Sequence, residues 1–214
     1  MTILEKWRDP TCCLSDDDIF QLWEETGGLV DLTYDGMVLT QDYVYCPGYP
    51  FPNNLRVMAD VMVYRNCDVK TWGSDSPDGL IVDGNLNIAF CDICQLPKRL
   101  KIGNLQANYS SLVCLPDDIR IEHSCNLAFC SRLVKLPSHF NVAYNLILCH
   151  CTNLVELSED LYVGGDLDLE GCAGLVGLPN NLYVGGDLYL EGCIGLTGLP
   201  DDFYVGGDII GWCK

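Results

Sequence analysis

The carboxyl-terminal half of this chain repeats every 21 residues, and this repeat limits the fold more than any other feature of the sequence. The segment DLDLEGC at 166–172 returns as DLYLEGC at 187–193. Leu-Pro pairs mark most units, and they begin at Leu96, Leu115, Leu136, Leu178 and Leu199, with Leu-Ser at Leu157 in the remaining place. The intervals are 19, 21, 21, 21 and 21 residues. A period near 20 is typical of a solenoid, in which each unit buries its apolar side against the next.

Each unit contains a strand signal. The run DLDLE alternates polar and apolar residues, which predicts a β-strand with Leu167 and Leu169 pointing inward. The glycine pairs before each strand, such as 164–165, are expected to turn the backbone, since glycine reaches positive φ at little cost. The LPxxL segment is expected to return the chain along the opposite wall, and no unit has room for a long helix.

The pattern LxLxxC, as in Leu167, Leu169 and Cys172, resembles the leucine-rich repeat family. The LPxxL opening is similar to the short bacterial version of that repeat, which is also found in secreted effectors. The resemblance covers residues 51–214. It implies an α/β-type repeat solenoid, with a parallel β-ladder on the concave face and a mostly irregular convex side. Such a fold says little about the partner.

Residues 1–50 lack the repeat and are predicted to form an amino-terminal cap. Ser15, followed by three aspartates, is a helix start, and Gly27-Gly28 is a stop, which predicts a helix over 15–26. Two β-like runs flank Asp35-Gly36 and predict a hairpin over 29–45. A helix and a hairpin here would cover the first coil of the solenoid, and the solenoid itself is predicted to span residues 51–214.

The carboxyl-terminal end has two interpretations. Trp212 and Ile210 fold over the last coil as a small lid, or the exposed edge pairs with a second copy and forms a homodimer.

Cysteines recur in one column, at Cys130, Cys151, Cys172 and Cys193. A residue at a fixed place in every coil is expected to face the core, where a thiol acts as a small apolar group. Three features predict a cytoplasmic location, in the producing cell or in a host. The thiols are expected to be free, the amino terminus has no signal-peptide pattern, and the chain has no apolar run long enough to span a membrane. The run Cys149-His150-Cys151 raises the alternative of a metal-binding protein, but four convergent ligands are not evident, and we assign no metal and no cofactor.

Charge narrows the class of partner. The chain holds 30 acids against 12 bases, a net charge of −18. Such a surface repels nucleic acid and anionic membranes, so neither is expected to bind directly. No convergent catalytic set or motif is found, and the chain is predicted not to be an enzyme.

The outward strand positions become acidic toward the carboxyl end. Carboxylates stacked on neighbouring strands repel one another, so solvation alone explains them less well than a positive partner does, although both interpretations remain open. The predicted function is a non-enzymatic module, such as a bacterial or phage effector or inhibitor, that binds a basic protein surface. Alternatives are an acidic nucleic-acid mimic that blocks a nuclease or defence protein, a calcium site, and an architectural, self-assembling repeat. The predicted partner-binding residues are Asp166, Asp168, Glu170, Asp187, Tyr189, Glu191 and Asp208.

Overall fold

The structure is a computed structural model that describes residues 56–63 and 79–212 in full, and the backbone alone of 30–33, 36–39 and 43–45. These residues form 17 short strands and no helix. Accordingly, this part of the chain holds no helix long and apolar enough to cross a membrane. In chain order the strands are β1 (Val30–Thr33), β2 (Gly36–Leu39), β3 (Tyr43–Tyr45), β4 (Arg56–Val57), β5 (Val61–Val63), β6 (Ile81–Asn87), β7 (Lys101–Gln106), β8 (Arg120–Ile121), β9 (Cys125–Asn126), β10 (Asn141–Val142), β11 (Leu146–Ile147), β12 (Tyr162–Val163), β13 (Leu167–Asp168), β14 (Leu182–Val184), β15 (Leu188–Tyr189), β16 (Phe203–Val205) and β17 (Ile209–Ile210).

The chain is a parallel β-solenoid of about seven turns. The main sheet stacks β6, β7, β9, β11, β13, β15 and β17 in sequence order. Its register advances by one repeat per strand, so that Leu146, Leu167, Leu188 and Ile209 lie side by side. The period of the sequence is therefore the length of one coil.

A second sheet lies beside the main sheet. It consists of β10, β12, β14 and β16, which pair in parallel. From β10 onward, each coil reaches the second sheet just before the main sheet, since β12 ends at Val163 and β13 begins at Leu167. The predicted α/β class is therefore wrong for the described residues: strands form two sides of the coil, and the side expected to be irregular carries a regular sheet.

Apolar columns fill the interior. Val142, Val163 and Val184 face inward from the second sheet, and Leu146, Leu167 and Leu188 face inward from the main sheet; all are buried. The stacked columns form one continuous core along the described solenoid. Burial of such side chains contributes about 1.5–3 kcal/mol each.

The glycine pairs serve a purpose other than the predicted one. Among the described glycines, positive φ occurs at Gly79, Gly171, Gly192 and Gly211, and not at the pairs. Instead, a Cβ at Gly185 would collide with the backbone carbonyl oxygen of Gly164 in the preceding coil. The pairs allow neighbouring coils to approach closely at the bend between the two sheets.

The amino-terminal hairpin region continues the sheet. β1 pairs antiparallel with β2, with Thr33 opposite Gly36. β2 then pairs in parallel with β4, and β3 with β5, so these strands extend the same sheet as the solenoid. The predicted helix at 15–26 lies outside the described residues, and the division of the chain at residue 50 stays a prediction.

The last described coil is partly covered. Gly211 stands where earlier coils have the inward Leu169 and Leu190, and its φ of 75° turns the chain early. Trp212 then packs against the core. Ile210, the other predicted lid residue, instead pairs with Tyr189 in the outward column. Of the two predicted lid residues, Trp212 is the one that packs against the described core.

Candidate functional site

The predicted site residues lie on the outer side of the main sheet, at its carboxyl-terminal end. We call this set the acidic face: Asp166, Asp168, Glu170, Asp187, Tyr189, Glu191 and Asp208. The register places Asp168 beside Tyr189 and Tyr189 beside Ile210. The acidic face therefore consists of three neighbouring columns, which have different surroundings.

The first column supports the backbone. Asp166 donates its N–H to Oδ1 of Asn145 at 3.0 Å, Asp187 donates to Oδ1 of Asp166 at 2.9 Å, and Asp208 donates to Oδ1 of Asp187 at 2.8 Å. Earlier coils use Asp60 and Asn104 in the same way. Each side chain thus accepts a hydrogen bond from a backbone N–H of the next coil. These N–H groups lie at the bend before the main strand, where strand pairing does not provide an acceptor. One oxygen of Asp166 and one of Asp187 are committed to the fold.

The middle column has a local role and an outward surface. Asp168 accepts the N–H of Glu170 at 3.0 Å, as Asn126 accepts that of Ala128. Tyr189 ends β15, between Asp168 of β13 and Ile210 of β17, and its hydroxyl donates to Oδ2 of Asp187 at 3.5 Å. Partial burial, followed by the nearby carboxylates of Asp187 and Asp166, raises the pKa of Tyr189.

The third column is the most open. Glu170 and Glu191 are exposed, and neither side chain supports the backbone of a neighbouring coil. Nε2 of His150 lies 3.9 Å from Oε1 of Glu170. Among the described residues, no Lys or Arg forms an ion pair with the acidic face. The structure thus places stacked, exposed carboxylates about one strand spacing apart, about 4.8 Å.

The proposed Cys149–Cys151 metal set is divided by the turn that follows β11, where His150 has positive φ. Cys149 faces outward and is half-buried; burial, together with the adjacent Asp168, raises its pKa to about 11. Cys151 is buried and donates from Sγ to the carbonyl of Leu127 at 3.1 Å. Because the two thiols lie on opposite sides of the chain, they do not converge. Across the part of the chain that the structure describes, no three His, Cys, Asp or Glu side chains gather as a metal site.

The cysteine column faces the core, as predicted. Cys130, Cys172 and Cys193 each donate from Sγ to a main-chain carbonyl of the preceding coil, at 3.1, 3.1 and 2.9 Å. Ser110 takes the same place in its own coil and lies 3.3 Å from Cys130. Burial raises the pKa of Cys172 to about 12. These thiols are structural donors rather than nucleophiles.

Two stacks of aromatic rings were not predicted. Phe90, Tyr109, Phe129 and His150 stack at centroid distances of 4.8, 4.4 and 4.7 Å, each with positive φ at the turn after a main strand. On the second sheet, Tyr162, Tyr183 and Tyr204 stack at 4.8 and 4.9 Å. Aligning the repeats in columns would have revealed both. The first stack ends at His150, because the next coil has Gly171 in this place. The His150 ring occupies the space that a Cβ at Gly171 would need.

No protein family model, curated protein or solved structure matches the chain.

Proposed function

We propose that this chain is a non-enzymatic protein-interaction module that binds a basic protein surface through its acidic face. Glu170 and Glu191 carry the proposal, because they are exposed, adjacent and without a described Lys or Arg partner. Adjacent like charges destabilise a sheet, and a cationic partner relieves that repulsion. A mixture of positive and negative side chains would solvate the solenoid equally well, without the repulsion between like charges.

The contact is centred on the middle and third columns. Asp168, Tyr189 and the two glutamates present groups that the fold does not fully use, whereas Asp166, Asp187 and Asp208 extend the negative field along the first column. Tyr189 is the anchor, since tyrosine contributes large contact area at interfaces. We further propose that the partner lies in a cytoplasm, where the thiol column stays reduced.

The test is affinity capture from a bacterial lysate, followed by affinity measurement on the recovered partner. One bait carries Asp168→Asn, Glu170→Gln and Glu191→Gln. Asn126 already makes the capping bond of Asp168 in its own coil, so the asparagine preserves the fold. The control bait carries Glu156→Gln, Glu159→Gln and Asp201→Asn, three exposed acids outside the acidic face.

We expect the first bait to lose the partner and the control to retain it, with affinity that falls as salt rises. If both variants bind equally, the acidic face is only solvated. A recovered nucleic-acid-binding protein that is displaced by DNA would favour the mimic version, in which carboxylates replace phosphates.

A second proposal, association of two copies through the carboxyl-terminal edge, rests on Ile209. It belongs to the inward column, yet it is 38% exposed where Leu188 is 0%. Light scattering should then give a mass that grows with concentration, and a constant protomer mass would exclude the association.

Kinship with the leucine-rich repeat family also remains a proposal. It is supported by the LxLxxC columns and the LPxxL openings.

A further inference from the structure

Thiols form a continuous column inside the solenoid. The column occupies one place in four successive coils, at Cys130, Cys151, Cys172 and Cys193. All four residues are buried, and Cys193, at 7%, is the most exposed of them. The column therefore brings identical metal-ligating groups together at the spacing of one coil.

The four thiols share one orientation. Each Sγ atom donates to a main-chain carbonyl at the equivalent place of the preceding coil. Neighbouring sulfurs are therefore separated by one strand spacing, about 4.8 Å. The rings of Phe129 and His150, which directly precede two of these cysteines, have the same spacing, with a centroid distance of 4.7 Å.

This spacing matches a metal ion that takes two sulfur ligands on opposite sides. A metal–thiolate bond is about 2.3 Å long, so two opposite bonds span about 4.6 Å. A structural zinc ion needs four ligands, and no three His, Cys, Asp or Glu side chains gather among the described residues. The column therefore suits a linear, two-coordinate ion, and its thiol ligands favour a soft one.

Charge balance selects a divalent ion. The column lies in the apolar core with residues such as Leu148 and Leu169, where an uncompensated charge is costly. When two thiols bind a divalent ion, two protons leave and the S–metal–S unit is neutral. A monovalent ion such as Ag(I) between two thiolates would instead leave a negative charge in the core.

Loss of the thiol protons leaves the backbone satisfied. The carbonyl of Leu148 accepts the Sγ–H of Cys172, and it also accepts the N–H of Cys151 at 3.1 Å. The carbonyl of Leu169 accepts the Sγ–H of Cys193 and the N–H of Cys172, the latter at 3.0 Å. Burial raises the pKa of Cys172 to about 12, so the ion itself must displace the proton.

We propose that neighbouring thiols of this column bind a soft divalent metal ion in linear, two-coordinate geometry, of the type of Hg(II). Each ion forms two metal–sulfur bonds along the axis of the solenoid, and the two S–H protons pass to solvent. The pair of Cys172 and Cys193 binds first, because it contains the most exposed thiol of the column. The ion links two successive coils.

Two variants with the same number of thiols test the proposal. The adjacent variant carries Cys130→Ser and Cys151→Ser, which leaves the neighbours Cys172 and Cys193. The separated variant carries Cys130→Ser and Cys172→Ser, which leaves thiols two coils apart. Serine suits this place, since Ser110 occupies it in its own coil and is buried. All thiols outside the column are the same in both variants.

Each variant, once its fold is checked by circular dichroism, is incubated with mercuric chloride and excess glutathione. Mercury is then measured by mass spectrometry after gel filtration. Glutathione removes ions held by one protein thiol, whereas two preset thiols act together as a chelate. We expect the adjacent variant to retain about one ion per chain more than the separated variant, and Zn(II) to give no difference. Equal retention of mercury, or the same difference with Zn(II), would overturn the proposal.

Hydrogen exchange of the wild-type chain provides a test that does not depend on the folding of the variants. The amide of Cys193, which donates to the carbonyl of Leu190 at 3.2 Å, should exchange more slowly with Hg(II), because linked coils must open together. The amide of Leu105 lies in the coil that carries Ser110 in place of a column thiol, and its exchange should not change. Unchanged exchange at Cys193, or equal slowing at both amides, would contradict the proposed link.

Discussion

Asp166 combines a charge on the acidic face with an acceptor that the next coil needs. Its Oδ1 accepts the N–H of Asp187, and Asn145 accepts the N–H of Asp166 in the same way one coil earlier. The bond requires an oxygen at this place and not a negative charge. Charge and acceptor can therefore be separated by substitution at this single residue.

Asp166→Asn should leave the free energy of unfolding nearly unchanged, because the amide oxygen replaces the carboxylate oxygen. Asp166→Ala should lower it by about 1–3 kcal/mol, since the N–H of Asp187 is left without its acceptor in a half-buried place. Urea unfolding followed by circular dichroism measures both. Equal destabilisation by Asn and Ala would mean that the charge itself is what the fold requires.

The bend between the two sheets depends on close contact between coils. Gly185 has no room for a Cβ, because the carbonyl oxygen of Gly164 occupies that space. Gly177 lies eight residues earlier, just before Leu178, and no atom lies within 4 Å of the position that its Cβ would take. The two glycines form a matched pair, in which the same substitution meets opposite surroundings.

Gly185→Ala should destabilise the chain by about 1–3 kcal/mol, because the two backbones must separate. Gly177→Ala should be neutral or stabilising by up to about 1 kcal/mol, because it restricts the unfolded chain. Thermal unfolding of the two variants side by side provides the measurement. If Gly185→Ala were as stable as Gly177→Ala, the coils would be more widely spaced at the bend than the structure describes.

Elements whose signal recurs within one coil could be predicted from the sequence. The inward leucines of β13 and β15 and the cysteine column follow from the 21-residue period, because the same position meets the same surroundings in every coil. The acidic columns also follow from the alternation in DLDLE. Their outward direction was predicted, and the contacts that use Asp166 and Asp187 were not.

Elements that depend on contacts between coils could not be predicted. β12 has only two residues, Tyr162 and Val163, and alternation over two residues is no signal, so the second sheet was expected to be irregular. The bond from Asp187 to Asp166 joins residues 21 apart and has no local pattern.

At the scale of the whole molecule, the net charge of −18 opposes compactness. Solenoid stacking increases this effect on the acidic face, because Glu170 and Glu191 occupy the same place in successive coils. Each coil contacts only its neighbours, so repulsion between two coils acts directly on the interface that holds them together. Stability should therefore respond to salt, and part of that response should come from these two residues.

Raising NaCl from about 20 mM to about 500 mM shortens the screening length from roughly 20 Å to roughly 4 Å. The melting temperature of the wild type should rise over this range. Glu170→Gln with Glu191→Gln should melt higher than the wild type at low salt, and the difference should shrink at high salt. Glu156→Gln with Glu159→Gln removes the same charge from exposed positions outside the stacked column and should show a smaller gain. Equal gains from both double variants would assign the repulsion to net charge, whereas a larger gain at positions 170 and 191 would assign it to the stacking of these two carboxylates in successive coils.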